Sequence, residues 1–284
     1  MNVTRLLVIV AVGVSAWLSA CVAPQKVHPT ASADASDGWA DVCATQRARL
    51  ERLQTFSSSG QFTLRWSEDD ERRWEQVDLR LWWTLPNEMA LRLSRVGRRL
   101  AVAGWSEKTW WIFDQMSDET TLSIFDATSD NAGQDLLLSP PVLLAVAGIM
   151  EFPIEPPEDL IRAADGTQRF SMKVRGLEGS TRARLTLDIH GPTSVWLERE
   201  DGTLIARSEL SAYKPVKTTG IAKGAWPMLP FRIRVFQPSA TGPEGEASIS
   251  IDRPEANVSV PRAMFDLATL QKKLAPTVVD DRRG

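Results

Sequence analysis

Two spacings of apolar residues divide this chain. From Trp39 to Phe56 they recur at helical intervals: Val42, Leu50 and Leu53 fall near one face, and Arg and Glu residues lie elsewhere. Asp41 can cap or charge the start of that helix, and Ser57-Ser58-Ser59-Gly60 is expected to end it. Beyond this point the period shortens to two. Phe62, Leu64 and Trp66 alternate with Gln61, Thr63 and Arg65. Val77, Leu79, Leu81 and Trp83 alternate with Asp78, Arg80, Trp82 and Thr84, and Met89, Leu91 and Leu93 alternate with Ala90, Arg92 and Ser94. Shorter runs follow at 100–105, 109–114 and 120–125. This pattern predicts a meander of antiparallel strands with one apolar face and one polar face.

A polar loop, Asp126 to Gln134, interrupts the meander. Pro140 to Gly148 then reads as a short helix, with Ser139 as cap, prolines in the first turn and Gly148 at the stop. It is apolar nearly all round, so it should be buried against a sheet. Pro157 to Ala164 suggests a helical turn. Strands return at 170–174, 185–190, 195–199, 203–208, 210–217, 231–235, 248–252 and 257–260, with Asp201-Gly202 as a hairpin signal. Pro261 to Leu274 suggests a final helix, and 275–284 a polar tail.

The expected fold class is α+β and mainly antiparallel β. It is a curved, incomplete barrel of about ten or eleven strands, with an N-terminal helix and a short apolar lid helix; so many twisted strands must curl. The side chains expected to face the enclosed space are Phe62, Leu64, Leu79, Leu81, Trp83, Leu91, Leu93, Leu143, Leu144, Leu187 and Ile233. Trp82-Trp83 and Trp110-Trp111 are adjacent pairs, so one member of each should point inward. The other should lie outside, or under a helix or loop. An inward Trp can fill the core or line a cavity.

The N-terminus adds a different kind of signal. Arg5 precedes an apolar run from Leu6 to Trp17, which ends in Leu18-Ser19-Ala20-Cys21. This looks like a bacterial lipoprotein signal peptide, and the run is too short to span a bilayer comfortably. The resemblance implies removal of residues 1–20 and a lipid-modified Cys21 as the new N-terminus. Residues 21–38, rich in Ala, Ser, Pro and Asp, then read as a flexible tether to a domain at 39–274. With the Cys21 sulfur occupied, Cys43 has no partner for a disulfide and reads as a small buried apolar residue. The expected location is the bacterial envelope. Val22 follows Cys21, and the absence of Asp there is compatible with outer-membrane sorting and a periplasm-facing domain.

Charge and motifs narrow the function by exclusion. The net charge of −3 supplies no footprint for nucleic acid. The two His residues, His28 and His190, stand apart, and no zinc spacing, nucleophile elbow or phosphate loop is present. The chain is therefore read as no enzyme, and no cofactor is expected. Glu68-Asp69-Asp70-Glu71 reads as a solvated hairpin tip. Arg95, Arg98 and Arg99 around Gly97 make a basic turn, either an ordinary polar turn or a contact for anionic head groups.

The whole pattern resembles the LolA/LolB-like lipoprotein-sorting superfamily. The carrying residues are Leu53 to Gly60, the strand Gln61 to Trp66, Val77 to Trp83, and Leu85-Pro86-Asn87-Glu88-Met89-Ala90-Leu91-Arg92-Leu93. Leu185 to Asp188, the Asp201-Gly202 hairpin, Leu229-Pro230 and Phe265 add to it. The likeness covers roughly Asp41 to Leu267. It implies an incomplete barrel lidded by helices, holding the acyl chain of a lipoprotein or related amphiphile. The implied partners are the membrane, through the Cys21 lipid, and that acyl-chain or lipoprotein ligand. The alternative is a filled core with an envelope protein docked outside.

Overall fold

The computed structural model describes residues 38–68, 71–116, 119–126, 140–174, 181–238 and 245–283. The expectations for the signal peptide, Cys21, His28, the tether, the 69–70 tip, the 127–134 loop and Ser139 lie outside the described residues. Helix α1 (Trp39–Glu51) leads into β1 (Thr55–Glu68), β2 (Glu71–Thr84), β3 (Glu88–Arg95), β4 (Arg98–Ser106), β5 (Thr109–Asp114) and β6 (Thr121–Asp126). Helix α2 (Pro140–Val146) follows. Then come β7 (Ile161–Arg162), β8 (Gln168–Lys173), β9 (Arg182–Asp188), β10 (Gly191–Glu198), β11 (Leu204–Pro215), β12 (Lys217–Thr218), β13 (Met228–Gln237) and β14 (Gly245–Ala256). Helix α3 (Leu267–Leu274) and β15 (Val278–Arg282) complete the chain.

All the strands belong to one sheet in the order β15-β6-β5-β4-β3-β2-β1-β14-β13-β11-β10-β9-β8-β7, with β12 beside β14. Its pairings are antiparallel except β15 with β6 and β12 with β14. The terminal strands β15 and β7 are not neighbours, so the sheet is open. The described strands number fifteen, more than the ten or eleven expected. The additions have physical reasons. β7 and β12 are two residues each, too short to show a period. β15 stands where the sequence predicts a polar tail; it pairs with the edge that β6 offers.

Other boundaries shift as well. The first helix stops at Glu51, and Phe56 already belongs to β1. Gly38 occupies the cap position in a left-handed conformation, so Asp41 contributes first-turn charge and no cap bond. Ser57 to Gly60 sit inside β1 rather than ending a helix. Gly60 is there because β1 and β14 approach closely: a Cβ would lie 2.1 Å from the Ser250 carbonyl oxygen. Residues 157–164 form no helix, and 257–260 form no strand.

The short helix α2 shows how far the sheet bends. It touches β4, β10 and β11. Strands β4 and β10 stand seven places apart in the order. At about 4.8 Å per place they would lie roughly 34 Å apart in a flat sheet. A helix of this length reaches only about 10 Å. The sheet therefore wraps around α2. Irregularities assist the bend: the β1–β14 register shifts between Ser57 and Ser59, opposite Arg253 at φ 48°, and Ala212 in β11 has φ 56°.

Leu143 and Leu144 of α2 join the core under β2 to β5, while Val142, Ala145 and Val146 join the core under β8 to β11. Gly148, at φ 70°, ends the helix as expected. Its N–H reaches Ala145 and that of Ile149 reaches Leu144, a Schellman arrangement. On the convex face, the outward Trp111 is covered by Leu270 of α3, and Trp82 by Phe265. Each outward Trp thus lies under a C-terminal segment, while Trp83 and Trp110 enter the concave core.

Two positions give stability predictions of opposite sign. Val96 and Gly97 form the two-residue β3–β4 turn, both at positive φ (48° and 77°), where Asn is far better suited than a β-branched residue. Val96→Asn is expected to raise stability by about 1 kcal/mol in denaturant unfolding. A Cβ on Gly104 would lie 2.5 Å from the Trp111 ring. Gly104→Ala is expected to cost about 1–3 kcal/mol and to change Trp fluorescence.

Candidate functional site

The concave face holds a cavity between α2 and the sheet. Leu79, Leu81 and Trp83 of β2 and Met89, Leu91 and Leu93 of β3 form one wall. Leu229, Pro230 and Ile233 of β13 with Ile249 and Ile251 of β14 form the other, and Phe62 of β1 lies between them. Leu143, Leu144 and Val146 of α2, then Ala147 and Ile149, make the roof. The space follows from the central strand: β1 presents Ser58 opposite Leu81 and Gly60 opposite Leu79, so small residues stand where neighbouring strands carry large ones.

All the lining residues are apolar. The space between the walls as they stand is about 40 Å³, part of a wider unfilled region of about 700 Å³ that opens to solvent. On that scale one water needs about 10–15 Å³, so roughly three would fit, with no polar side chain to hold them. The cavity is physically a dry one.

Nine of the eleven expected side chains line it: Phe62, Leu79, Leu81, Trp83, Leu91, Leu93, Leu143, Leu144 and Ile233. Leu64 and Leu187 do not. They pack in the second core cluster, on the β8 to β11 side of α2. Alternation identifies the inward face of a strand, but not which part of that face α2 will cover. Met89 belongs to an alternating run; Ile249 and Ile251 alternate with Ser248, Ser250 and Asp252, a signal that could have placed them inward. Ala147 belongs to the expected apolar run of 140–148, just past the last helical residue, Val146, and Ile149 lies beyond the Gly148 stop and carries no period.

Polar groups fasten the roof, and sequence reasoning missed most of them. Gln46 and Arg49 of α1 are buried, although the sequence pattern places Arg and Glu away from the apolar face and gives Gln46 no position. Gln46 Nε2 donates to the Met150 carbonyl at 2.6 Å and to the Gly148 carbonyl at 3.3 Å; Arg49 Nη2 also donates to Gly148. Ser208 Oγ donates to the Val146 carbonyl at 2.6 Å. The carbonyls leaving a helix lack intrahelical donors, and a guanidinium there also suits the helix dipole. Trp39 Nε1 and Cys43 Sγ both donate to the Pro153 carbonyl, each at 3.1 Å. Burial raises the Cys43 pKa, against the pull of Arg47, and keeps it a thiol. The legible signal was the spacing 39-42-46-49-53, which includes both polar residues.

Arg49 is held with little compensation. Its Nε and Nη1 are buried and lack a hydrogen-bond acceptor. Burial lowers its pKa, and the adjacent Tyr213 hydroxyl opposes that shift. The Tyr213 hydroxyl donates to the Pro192 carbonyl, and burial pushes its pKa up to about 12 despite the opposing Arg49 charge. His190 is exposed and stacks on Tyr213 at 6.2 Å between ring centres, at the β9–β10 turn. Among the described residues, no group of three His, Cys, Asp or Glu side chains is placed to hold a metal ion.

Tyr213 yields a pH prediction. An unfolded tyrosine titrates near 10. Between pH 10 and about 12 the unfolded chain has released this proton while the folded one retains it. The contribution to stability is complete below pH 10 and falls as pH rises through 12, by about 2–3 kcal/mol in all. Tyr213→Phe is expected to flatten that part of the curve in urea unfolding between pH 9 and 12.

No family model matches the sequence, and no curated protein matches it. Solved structures do. A DUF1329 family protein from Desulfovibrio piger superposes with TM-score 0.52 at 10% identity, over 80% of this chain and 98% of its own. A candidate outer membrane lipoprotein-sorting protein domain from Vibrio parahaemolyticus gives 0.51 at 10%, over 81% and 97%. A LolA superfamily protein from Nitrosomonas europaea gives 0.48 at 11%, over 79% and 97%. The superpositions on the Desulfovibrio and Vibrio proteins establish likeness of fold: an open, mainly antiparallel sheet covered by helices.

Proposed function

We propose that this protein is a lipid-anchored envelope protein whose curved sheet shelters an acyl chain of a lipoprotein or related amphiphile, in sorting or lipid transfer. The observation that carries this reading is the dry, wholly apolar cavity beneath α2. Burying an alkyl chain there gains about 0.8 kcal/mol per methylene, so eight methylenes supply about 6 kcal/mol. No catalytic group is required.

The cavity as it stands is narrow, so a chain of that length enters only if α2 lifts. Leu143 and Leu144 then exchange sheet contacts for ligand contacts at little net cost in exposed apolar area. Gln46, Arg49 and Ser208 set how readily this happens, since their bonds to the carbonyls of Val146, Gly148 and Met150 must break. In the same reading, residues 1–20 are removed, Cys21 carries the lipid, residues 21–38 form the leash, and the domain faces the periplasm from the outer membrane. Close packing around the narrow cavity supports a second reading: a filled core, with an envelope protein bound outside.

Native mass spectrometry of the protein, purified without detergent and delipidated, is expected to show uptake of one single-chain amphiphile. Leu81→Glu should abolish uptake, because a carboxylate would be buried in an apolar space. Ser208→Ala removes one roof bond; it should cost about 1 kcal/mol of stability and quicken exchange of a fluorescent fatty acid. Failure of the unaltered protein to take up any amphiphile would sink the first reading. Stoichiometric capture of a protein partner without lipid would favour the second.

A further inference from the structure

Among the described residues, three arginines on the convex face have no acidic partner. Arg80 of β2 lies directly opposite Arg92 of β3, and Arg99 of β4 lies opposite Ser94, two residues along β3 from Arg92. Like charges directly across a strand pair repel. The Nε atoms of Arg92 and Arg99 are shielded from solvent and lack a hydrogen-bond acceptor. Arg92 lies over the Trp82 ring at 5.8 Å, which limits its freedom to turn away. Burial, with Arg80 and Arg99 nearby, lowers the Arg92 pKa.

Some arginines elsewhere on the sheet are paired. Arg65 and Arg234 share Glu246, Arg184 meets Glu198, and Arg95 meets Glu75. Asp78 is opposite Ser94 on the same face, yet among the described residues it makes no ion pair with Arg80, Arg92 or Arg99. What sets the cluster apart is the direct opposition of Arg80 and Arg92 with Arg99 close by.

We propose that Arg80, Arg92 and Arg99 together form a site for phosphate groups, supplied by anionic phospholipid head groups at a bilayer surface. Guanidinium groups suit phosphate through forked, charge-assisted hydrogen bonds. The bilayer source is favoured by Trp74, which is 67% exposed and lies on the same face of β2 as Arg80. Trp74 lies six residues from Arg80, about 20 Å along the strand, so one bilayer surface can meet both. Exposed Trp and Arg on a common surface are typical of a membrane–water interface. This site is separate from the cavity and does not depend on what the cavity holds.

The test uses the full-length protein with vesicles of phosphatidylcholine, alone or mixed with phosphatidylglycerol. The unaltered protein is expected to prefer the anionic vesicles, with a preference that weakens in salt. Arg80→Gln/Arg92→Gln should reduce that preference roughly tenfold or more. Its melting temperature should hold or rise, because a repulsion has been removed. Arg80→Lys/Arg92→Lys, which keeps the charge, should retain most of the preference; Arg65→Gln/Arg184→Gln, at paired positions, should leave it unchanged. Equal binding to both vesicles, or an unchanged preference in the double Gln variant, would overturn the proposal. Tight binding of inorganic phosphate without a vesicle preference would overturn the bilayer source and assign the site to a soluble phosphate. A lower melting temperature with vesicle preference intact would mark the cluster as structural.

Discussion

Burial of α2 on both sides is the constraint on which this architecture depends. A short helix with no polar face cannot rest on a flat sheet, because half its surface would remain in water. Here Leu143 and Leu144 meet one core cluster, and Val142, Ala145 and Val146 meet another. Both faces are satisfied only if strands distant in the sheet order come together around the helix. Curvature, an open rather than flat sheet, and an enclosed apolar space under the helix follow from that single requirement.

Burying α2 also buries the carbonyls at its end, and these must find donors. Side chains from separate elements supply them: Gln46 and Arg49 from α1, and Ser208 from β11. The result is a roof with apolar contacts below and a few polar bonds behind. Such an arrangement resists water while leaving a small number of breakable ties. The incomplete bonding of Arg49 makes this fastening less stable than its burial alone would suggest. The convex side is treated differently. Phe265 and α3 cover the outward Trp82 and Trp111, and β15 occupies the β6 edge, so the C-terminal segment shields surface that the meander cannot bury itself.

Legibility in the sequence tracked the length of each pattern. The long alternating runs of β2 and β3 displayed their inward faces plainly, and Leu79, Leu81, Trp83, Leu91 and Leu93 all reach the cavity. The isolated apolar run at 140–148 announced a buried helix and its glycine stop. Leu64 and Leu187 followed the same alternation but lie to the other side of α2, a distinction set by packing between distant strands. Arg49 and Gln46 looked like surface residues because polar side chains usually are; only neighbouring carbonyls make their burial tolerable.

The sequence by itself determined the local periods, the inward face of the principal strands, the apolar character of α2 and the absence of recognisable catalytic motifs. These are short-range properties, readable from side-chain type and spacing. Tertiary structure alone decided where the sheet bends, which small residues on β1 leave space, and that Arg80, Arg92 and Arg99 stand together. It also placed Arg49 behind the roof and β15 at the β6 edge. Those features depend on strand register and close approach between residues far apart in the chain, for which local periodicity has no signal.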